Sequence, residues 1–307
     1  MSDTPIEILE LKKTYKDKRR REIQALKGIS LNVRQGNVVG FLGPNGAGKS
    51  TTIKNLIGLI RPTAGHIKLF GLPVSDPVSR SRIGYLPENP AFYDFLNAYE
   101  YLSLVGKFFN MDAKSIRSAS DSVLELLNLS GAAKRPIRGF SKGMVQRLGI
   151  AQTLLHDPDL YILDEPMSGL DPLGRAMVKD IIRDLKVRGK TVFFSTHVTA
   201  DIEAVCDKVA ILINGRLKAF DSVQELLEQG IEGYLVQLSC CNQLMLDGFN
   251  VLERPGEVLE VEVPLAELTR FVELVTDVGG TIQRMDPRRR DLEKFFLDIV
   301  KQEDLAR

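Results

Sequence analysis

The apolar run Val38–Leu42 breaks directly into Gly43-Pro44-Asn45-Gly46-Ala47-Gly48-Lys49-Ser50, and no other stretch limits the fold so sharply. Glycines at 43, 46 and 48 let the backbone curl until successive N–H groups point inward, a cradle for phosphate oxygens. The segment Thr51 to Leu59 reads as a helix that turns its positive dipole end toward the same point. A buried strand, a glycine-rich loop and a helix in that order open a parallel α/β sheet. Lys49 is placed to reach the β- and γ-phosphates of a nucleotide, and the Ser50 hydroxyl to ligate Mg²⁺. The glycine spacing is not G-x-G-x-x-G, which excludes a nicotinamide enzyme.

Leu160–Leu163 and Thr191–Ser195 also read as buried strands, and in open α/β sheets ligands gather at the carboxyl ends of such strands. The first ends in Asp164 and Glu165. Asp164 suits the oxygen ligand that Mg²⁺ requires, and Glu165 the carboxylate that polarises water for attack on the γ-phosphate. Two surface acids capping the next helix would be the plainer account. His197, just past the second strand, could hydrogen-bond the γ-phosphate or hold the water and Glu165 in register; a purely structural histidine is the alternative.

Around this core the pattern turns helical between about residues 88 and 158, with Tyr99, Leu102, Leu104, Val105 and Phe108, then Val123, Leu124, Leu126 and Leu127, at helical spacing. After Gly230 it changes again. Tyr234–Leu238 and Val258–Val263 alternate like strands and Ala266–Val275 carries a helical stripe. The expected organisation is an α/β domain over 1–230 with a helical insertion at 88–158, then a small α+β domain over 231–307. At 307 residues, 44% apolar and 26% charged, the chain has ample material for two cores.

The formal net charge of +1 provides no global field for nucleic acid or anionic lipid. The basic runs Lys16, Lys18, Arg19, Arg20, Arg21 and Arg288, Arg289, Arg290 read as solvated loop faces. Cys206, Cys240 and Cys241 have no metal spacing and read as packing residues in a reducing compartment. The start of the sequence is acidic and lacks the blocks of a signal peptide, and no run approaches the roughly 18 apolar residues of a membrane span. Any membrane role therefore calls for a partner that crosses it.

These elements, in this order and with Phe140-Ser141-Lys142-Gly143-Met144 just ahead of the Asp164 strand, resemble the nucleotide-binding subunits of ATP-binding cassette (ABC) transporters over roughly residues 6–225. The resemblance implies a P-loop ATPase with a RecA-like parallel sheet, an antiparallel β subdomain and an inserted helical subdomain. It implies ATP and Mg²⁺, with Gly43, Pro44, Asn45, Gly46, Ala47, Gly48, Lys49, Ser50 and Thr51 around the phosphates. Ser141 and Gly143 match the signature that closes over ATP held by a second copy or a paralogous subunit, and Arg147 lies one turn into the helix behind them. Here Phe140, Lys142 and Met144 replace the usual Leu, Gly and Gln. Glu88 stands where the family has a metal-touching Gln.

By the same resemblance Tyr15 stacks on adenine, although a core tyrosine fits the residue as well. Asp171, in Ser168-Gly169-Leu170-Asp171, signals across the dimer, and a simple helix cap is compatible with that. Phe92, Tyr93, Phe95, Tyr99 and Tyr101 fall where the family docks a permease, with core packing accounting for most of them. The implied protein is an ATP hydrolase on the cytoplasmic face of a membrane that drives a separate permease. Gly84-Tyr85-Leu86-Pro87-Glu88 and the carboxyl-terminal appendage resemble the bacterial exporter branch. No nucleic-acid partner is expected. A soluble cassette ATPase acting on nucleic acid or the ribosome is the competing reading.

Overall fold

The computed structural model describes residues 4–16, 21–229, 231–239, 248–252, 259–277, 279–289 and 291–305. Lys18, Arg19, Arg20, Gly230, Cys240, Cys241, Val258 and Arg290 lie outside the described residues. The chain divides into two compact units, Met1–Ser222 and Val223–Arg307.

The first unit begins with β1 (Ile6–Lys16), β2 (Glu22–Val33), β3 (Val38–Leu42), α1 (Lys49–Leu56), β4 (Ala64–Leu69), β5 (Leu72–Pro73), α2 (Pro77–Arg80) and β6 (Ile83–Leu86). It continues with α3 (Ala98–Phe108), α4 (Ala113–Leu126), α5 (Lys142–Leu154), β7 (Leu160–Asp164), α6 (Pro172–Val187), β8 (Thr191–Thr196), α7 (Thr199–Val205), β9 (Lys208–Ile213) and β10 (Arg216–Ser222). One sheet has the order β10-β9-β3-β8-β7-β6. Its strands pair in parallel except β10, which is antiparallel to β9. A second, antiparallel sheet has the order β2-β1-β4-β5.

β3, β7 and β8 are buried at every residue, the pattern of parallel strands covered on both faces. Their side chains alternate between two cores. Val39, Phe41, Ile162 and Phe193 join Ile53 of α1 and Ile6 and Ile8 of β1. Val38, Tyr161, Leu163, Val192 and Phe194 join Leu148 of α5 and Val178, Ile181 and Leu185 of α6. Because β3, β8 and β7 are parallel neighbours, the loops that follow them open on one edge of the sheet. The three turns singled out in the sequence therefore meet.

Helix begins later than the sequence pattern suggests, at Ala98 rather than near residue 88. Pro87 and Pro90 oppose a helix in between, and the start is set by a capping box. Asn97 Oδ1 accepts the Glu100 N–H at 3.0 Å, and Glu100 Oε2 accepts the Asn97 N–H at 2.8 Å. Leu102, Val123, Leu124 and Leu127 are buried, while Phe108 and Leu126 face solvent. Phe92 packs edge-on against Tyr101 at 4.7 Å between ring centroids. Tyr93 and Phe95 are exposed, their rings 5.9 Å apart.

The second unit holds α8 (Val223–Gln229), β11 (Ile231–Ser239), β12 (Asn250–Leu252), β13 (Leu259–Pro264), α9 (Leu268–Asp277), β14 (Thr281–Arg289) and α10 (Leu292–Leu305). Its antiparallel sheet has the order β12-β13-β11-β14. Alternate residues Val236, Leu238, Val261 and Val263 meet Phe271 and Val275 of α9, giving the unit its own core.

Candidate active site

The loop after β3 needs glycine for reasons of space. A Cβ on Gly43 would lie 2.4 Å from the Leu212 carbonyl oxygen. Gly48, with φ of 110°, caps α1 from a left-handed conformation, and a Cβ there would come within 2.9 Å of the Ala25 carbonyl oxygen. Pro44, Asn45, Gly46, Lys49, Ser50 and Thr51 line a cleft of about 370 Å³ together with Glu88 and Glu165. Ala47 is buried behind it. Lys49 is itself buried, its Nζ donating to the Gly43 carbonyl at 2.7 Å and lying 3.5 Å from Glu165 Oε1.

Asp164 ends β7 with its side chain buried. The Ser195 hydroxyl donates to its Oδ1 at 2.6 Å, and Ser50 also hydrogen-bonds it. Burial pushes the Asp164 carboxyl up and the Glu165 charge adds to that, while the Ser195 and Ser50 hydrogen bonds and the Lys49 charge oppose it. A carboxylate costly to bury and aimed at a hydroxyl beside a phosphate loop is a natural oxygen ligand for a small divalent cation.

Glu165 sits in the left-handed region with φ of 50°, unusual for a residue other than glycine. Such a conformation costs about 1–3 kcal/mol and persists only where neighbours hold it. Here two side chains do so. Ser195 Oγ accepts the Glu165 N–H at 2.9 Å, and Gln146 Nε2 donates to the carbonyls of Glu165 and Pro166 at 3.3 and 3.0 Å. The twist directs the carboxylate back over the cleft, between Lys49 and His197. His197 Nδ1 lies 3.1 Å from both Glu165 oxygens, and with the carboxylate ionised this contact needs the ring proton on Nδ1. A carboxylate so held can orient water and take its proton. Asp201 of α7, buried just beyond His197, pairs with Arg175 at 2.7 Å and Lys179 at 3.0 Å, anchoring α7 to α6.

Ser195 and Gln146 do not emerge from the sequence reading. Ser195 is legible there only as a strand end, and Gln146 only as a helical residue behind the signature; the register of β7 against β8, which pairs Asp164 with Ser195, is what gives the serine its role.

The structure leaves five other residues of the sequence reading away from the lining of this cleft. Tyr15 lies on β1, exposed, with Lys13 Nζ 5.2 Å from its ring centroid. Ser141 caps α5, accepting the Met144 N–H at 3.3 Å, and Gly143 follows in the first turn with nothing closer to a would-be Cβ than 3.8 Å. Asp171 caps α6 by accepting the Gly174 N–H at 2.8 Å. Arg147 is turned onto backbone, donating to the carbonyls of Gly143 and Leu127.

Residues 26–168 match the family described as ABC transporter. An uncharacterised ABC transporter ATP-binding protein of Synechocystis sp. is 45% identical over 306 residues, covering 98% of this chain and 86% of its own. The Nod factor export ATP-binding protein I of Ralstonia nicotianae is 35% identical over 249 residues, covering 79% of this chain and 78% of its own. The dimeric post-hydrolysis state of the ATP-binding cassette MJ0796, bound to ADP and Pi, superimposes with a TM-score of 0.66 at 25% identity, over 71% of this chain and 98% of that one.

Proposed function

Since the chain belongs to the ATP-binding, ATP-hydrolysing subunits of ABC transporters, we propose how its own residues carry out that hydrolysis and what it drives. Gly43, Pro44, Asn45, Gly46, Ala47, Gly48 and Thr51 surround the phosphates, and Lys49 neutralises charge on the β- and γ-oxygens. Ser50 and Asp164, with Glu88 at the rim, hold Mg²⁺, which when bound supplies further charge neutralisation at the γ-phosphate.

Glu165 orients the attacking water and accepts its proton, and His197 keeps that carboxylate in place. Tyr15 stacks on the adenine. Ser141, Gly143 and Asp171 serve the nucleotide of a second copy or a paralogous subunit. The observation that carries this reading is the grip of Lys49 and His197 on the Glu165 carboxylate, at 3.5 and 3.1 Å, on the same sheet edge as Asp164. Glu165→Gln is expected to slow turnover by about 10²–10⁴ while ATP binding persists, read by steady-state hydrolysis beside equilibrium nucleotide binding. Near-normal turnover would remove Glu165 from the chemistry.

The work is transport by a membrane-spanning permease, in the export direction, with this chain on the cytoplasmic face. No helix among the described residues is long and apolar enough to cross a membrane. The exposed pair Tyr93 and Phe95 supports a docking role for residues 85–105. Residues 1–230 act as the ATPase, with the helical subdomain at 88–158, and 231–307 as an accessory module. The transport names of the relatives favour this reading over the soluble alternative, and no nucleic-acid partner is proposed. The test is capture of the Glu165→Gln chain with ATP from detergent-solubilised membranes: a stoichiometric multi-spanning protein is expected, and ribosomal or nucleic-acid partners without one would overturn it.

A further inference from the structure

We propose that a cavity between α3 and α4, lined by none of the residues of the phosphate cleft, binds an amphipathic anion: a carboxylate or phosphate carrying an apolar chain. The cavity measures about 490 Å³, within the range of about 300–1,000 Å³ that suits a small organic ligand. Lys107 of α3, Arg117 of α4 and Lys134 further along the chain all line it, and no carboxylate does. Among the described residues none of these three cations belongs to an ion pair closer than 4.0 Å. Asp121, four residues on from Arg117, accepts the Tyr99 hydroxyl at 2.8 Å and stays outside the lining. The positive field of the rim is thus uncompensated by the cavity itself.

Surface cations alone would be a solvated face. What distinguishes this cluster is Ser120, which lines the same cavity at 1% exposure with a hydroxyl that has no hydrogen-bond partner among the described residues. An orphaned buried hydroxyl is unfavourable, and an anionic acceptor within reach would satisfy it. Met111, Ala113 and buried Ile116 line the same space and supply apolar surface for the remainder of the ligand. A small free anion would leave that surface wet, and a plain hydrocarbon would leave the three cations and the serine unused. An acyl or alkyl chain ending in a carboxylate or phosphate uses both.

The test is calorimetric titration of the full chain with octyl phosphate. ADP is titrated first by itself, which reads the phosphate loop separately, and is then kept saturating so that this loop cannot compete. Saturable binding of octyl phosphate is expected, with octanol and inorganic phosphate each weaker by at least about tenfold. The exposed pair Arg117→Glu with Lys134→Glu, and separately Ser120→Ala, should each weaken octyl phosphate by about tenfold or more without changing ADP affinity. Absence of saturable binding, equal binding of octanol or of inorganic phosphate, or unchanged affinity in both variants would overturn the site. Loss of ADP binding in the first titration would count against the nucleotide reading instead.

Discussion

The Ser195 hydroxyl donates to Asp164 Oδ1 at 2.6 Å and accepts the Glu165 N–H at 2.9 Å, so one side chain of β8 orients both acids at the end of β7. The link crosses adjacent strands in register, Asp164 against Ser195. Ser195→Ala removes a hydrogen bond to a buried carboxylate, worth about 1.5–3 kcal/mol, and frees the backbone of a strained residue. ATP turnover is expected to fall by about 10–100-fold and the Mg²⁺ requirement to rise, with Ser195→Thr retaining most of the activity. Steady-state hydrolysis across a Mg²⁺ series checks it; an unchanged Ser195→Ala would mean the hydroxyl does not position the pair.

Gln146 ties α5, whose amino end carries Ser141, to the backbone on which Glu165 is bent. Its amide reaches the Glu165 and Pro166 carbonyls from a buried position, so Gln146→Leu leaves acceptors without a donor. The expected loss is about 1–3 kcal/mol of stability by urea unfolding. Turnover should drop further than nucleotide affinity does, because the Glu165 twist loses one of its two restraints. Equal losses of kcat and affinity would reduce Gln146 to a packing residue.

Much of the site is legible in the sequence because its residues sit at strand ends, and strand ends can be read from apolar runs. Val38–Leu42, Leu160–Leu163 and Thr191–Ser195 are buried strands as expected, and parallel pairing brings Lys49, Asp164, Glu165 and His197 to one edge. What is not legible is held by pairing register and by backbone conformation. Ser195 matters only because it faces Asp164, and nothing in the string Asp164-Glu165-Pro166 announces that Glu165 takes a positive φ. The start of the helical layer was displaced for a local reason, the prolines at 87 and 90 followed by the Asn97–Glu100 capping box. Ser141 and Asp171 act as helix caps within their own chain, so their assignment to a nucleotide rests on the resemblance and requires a second subunit.

His156 makes the stability of the first unit sensitive to acid. Its ring stacks on Phe109 at 3.5 Å between centroids, with Nε2 3.1 Å from the Ile83 carbonyl. Burial pushes its pKa below the ordinary 6.5, only partly offset by the Ile83 carbonyl and the Asp157 charge. A base whose pKa is lowered by folding contributes stability that is complete above the unfolded pKa and lost as pH falls through the folded one. The melting temperature should therefore decline as pH falls below the ordinary histidine value of 6.5, and His156→Leu should flatten that decline. An identical slope in the variant would assign the acid sensitivity elsewhere.

Gly43 separates the demand for space from the general softness of glycine. A methyl group there would be driven to 2.4 Å from the Leu212 carbonyl oxygen, on a strand that cannot retreat because β9 pairs with both β3 and β10. Gly139, by contrast, has nothing within 4 Å of a would-be Cβ. Gly43→Ala is expected to cost about 1–3 kcal/mol of stability and to weaken nucleotide binding by at least about tenfold, since the loop must shift off the path on which its N–H groups converge. Gly139→Ala should be near neutral in both. Thermal unfolding beside nucleotide titration of the two variants decides it: equal losses would show that chain flexibility is what matters, whereas a loss confined to Gly43→Ala locates the requirement in the contact with Leu212.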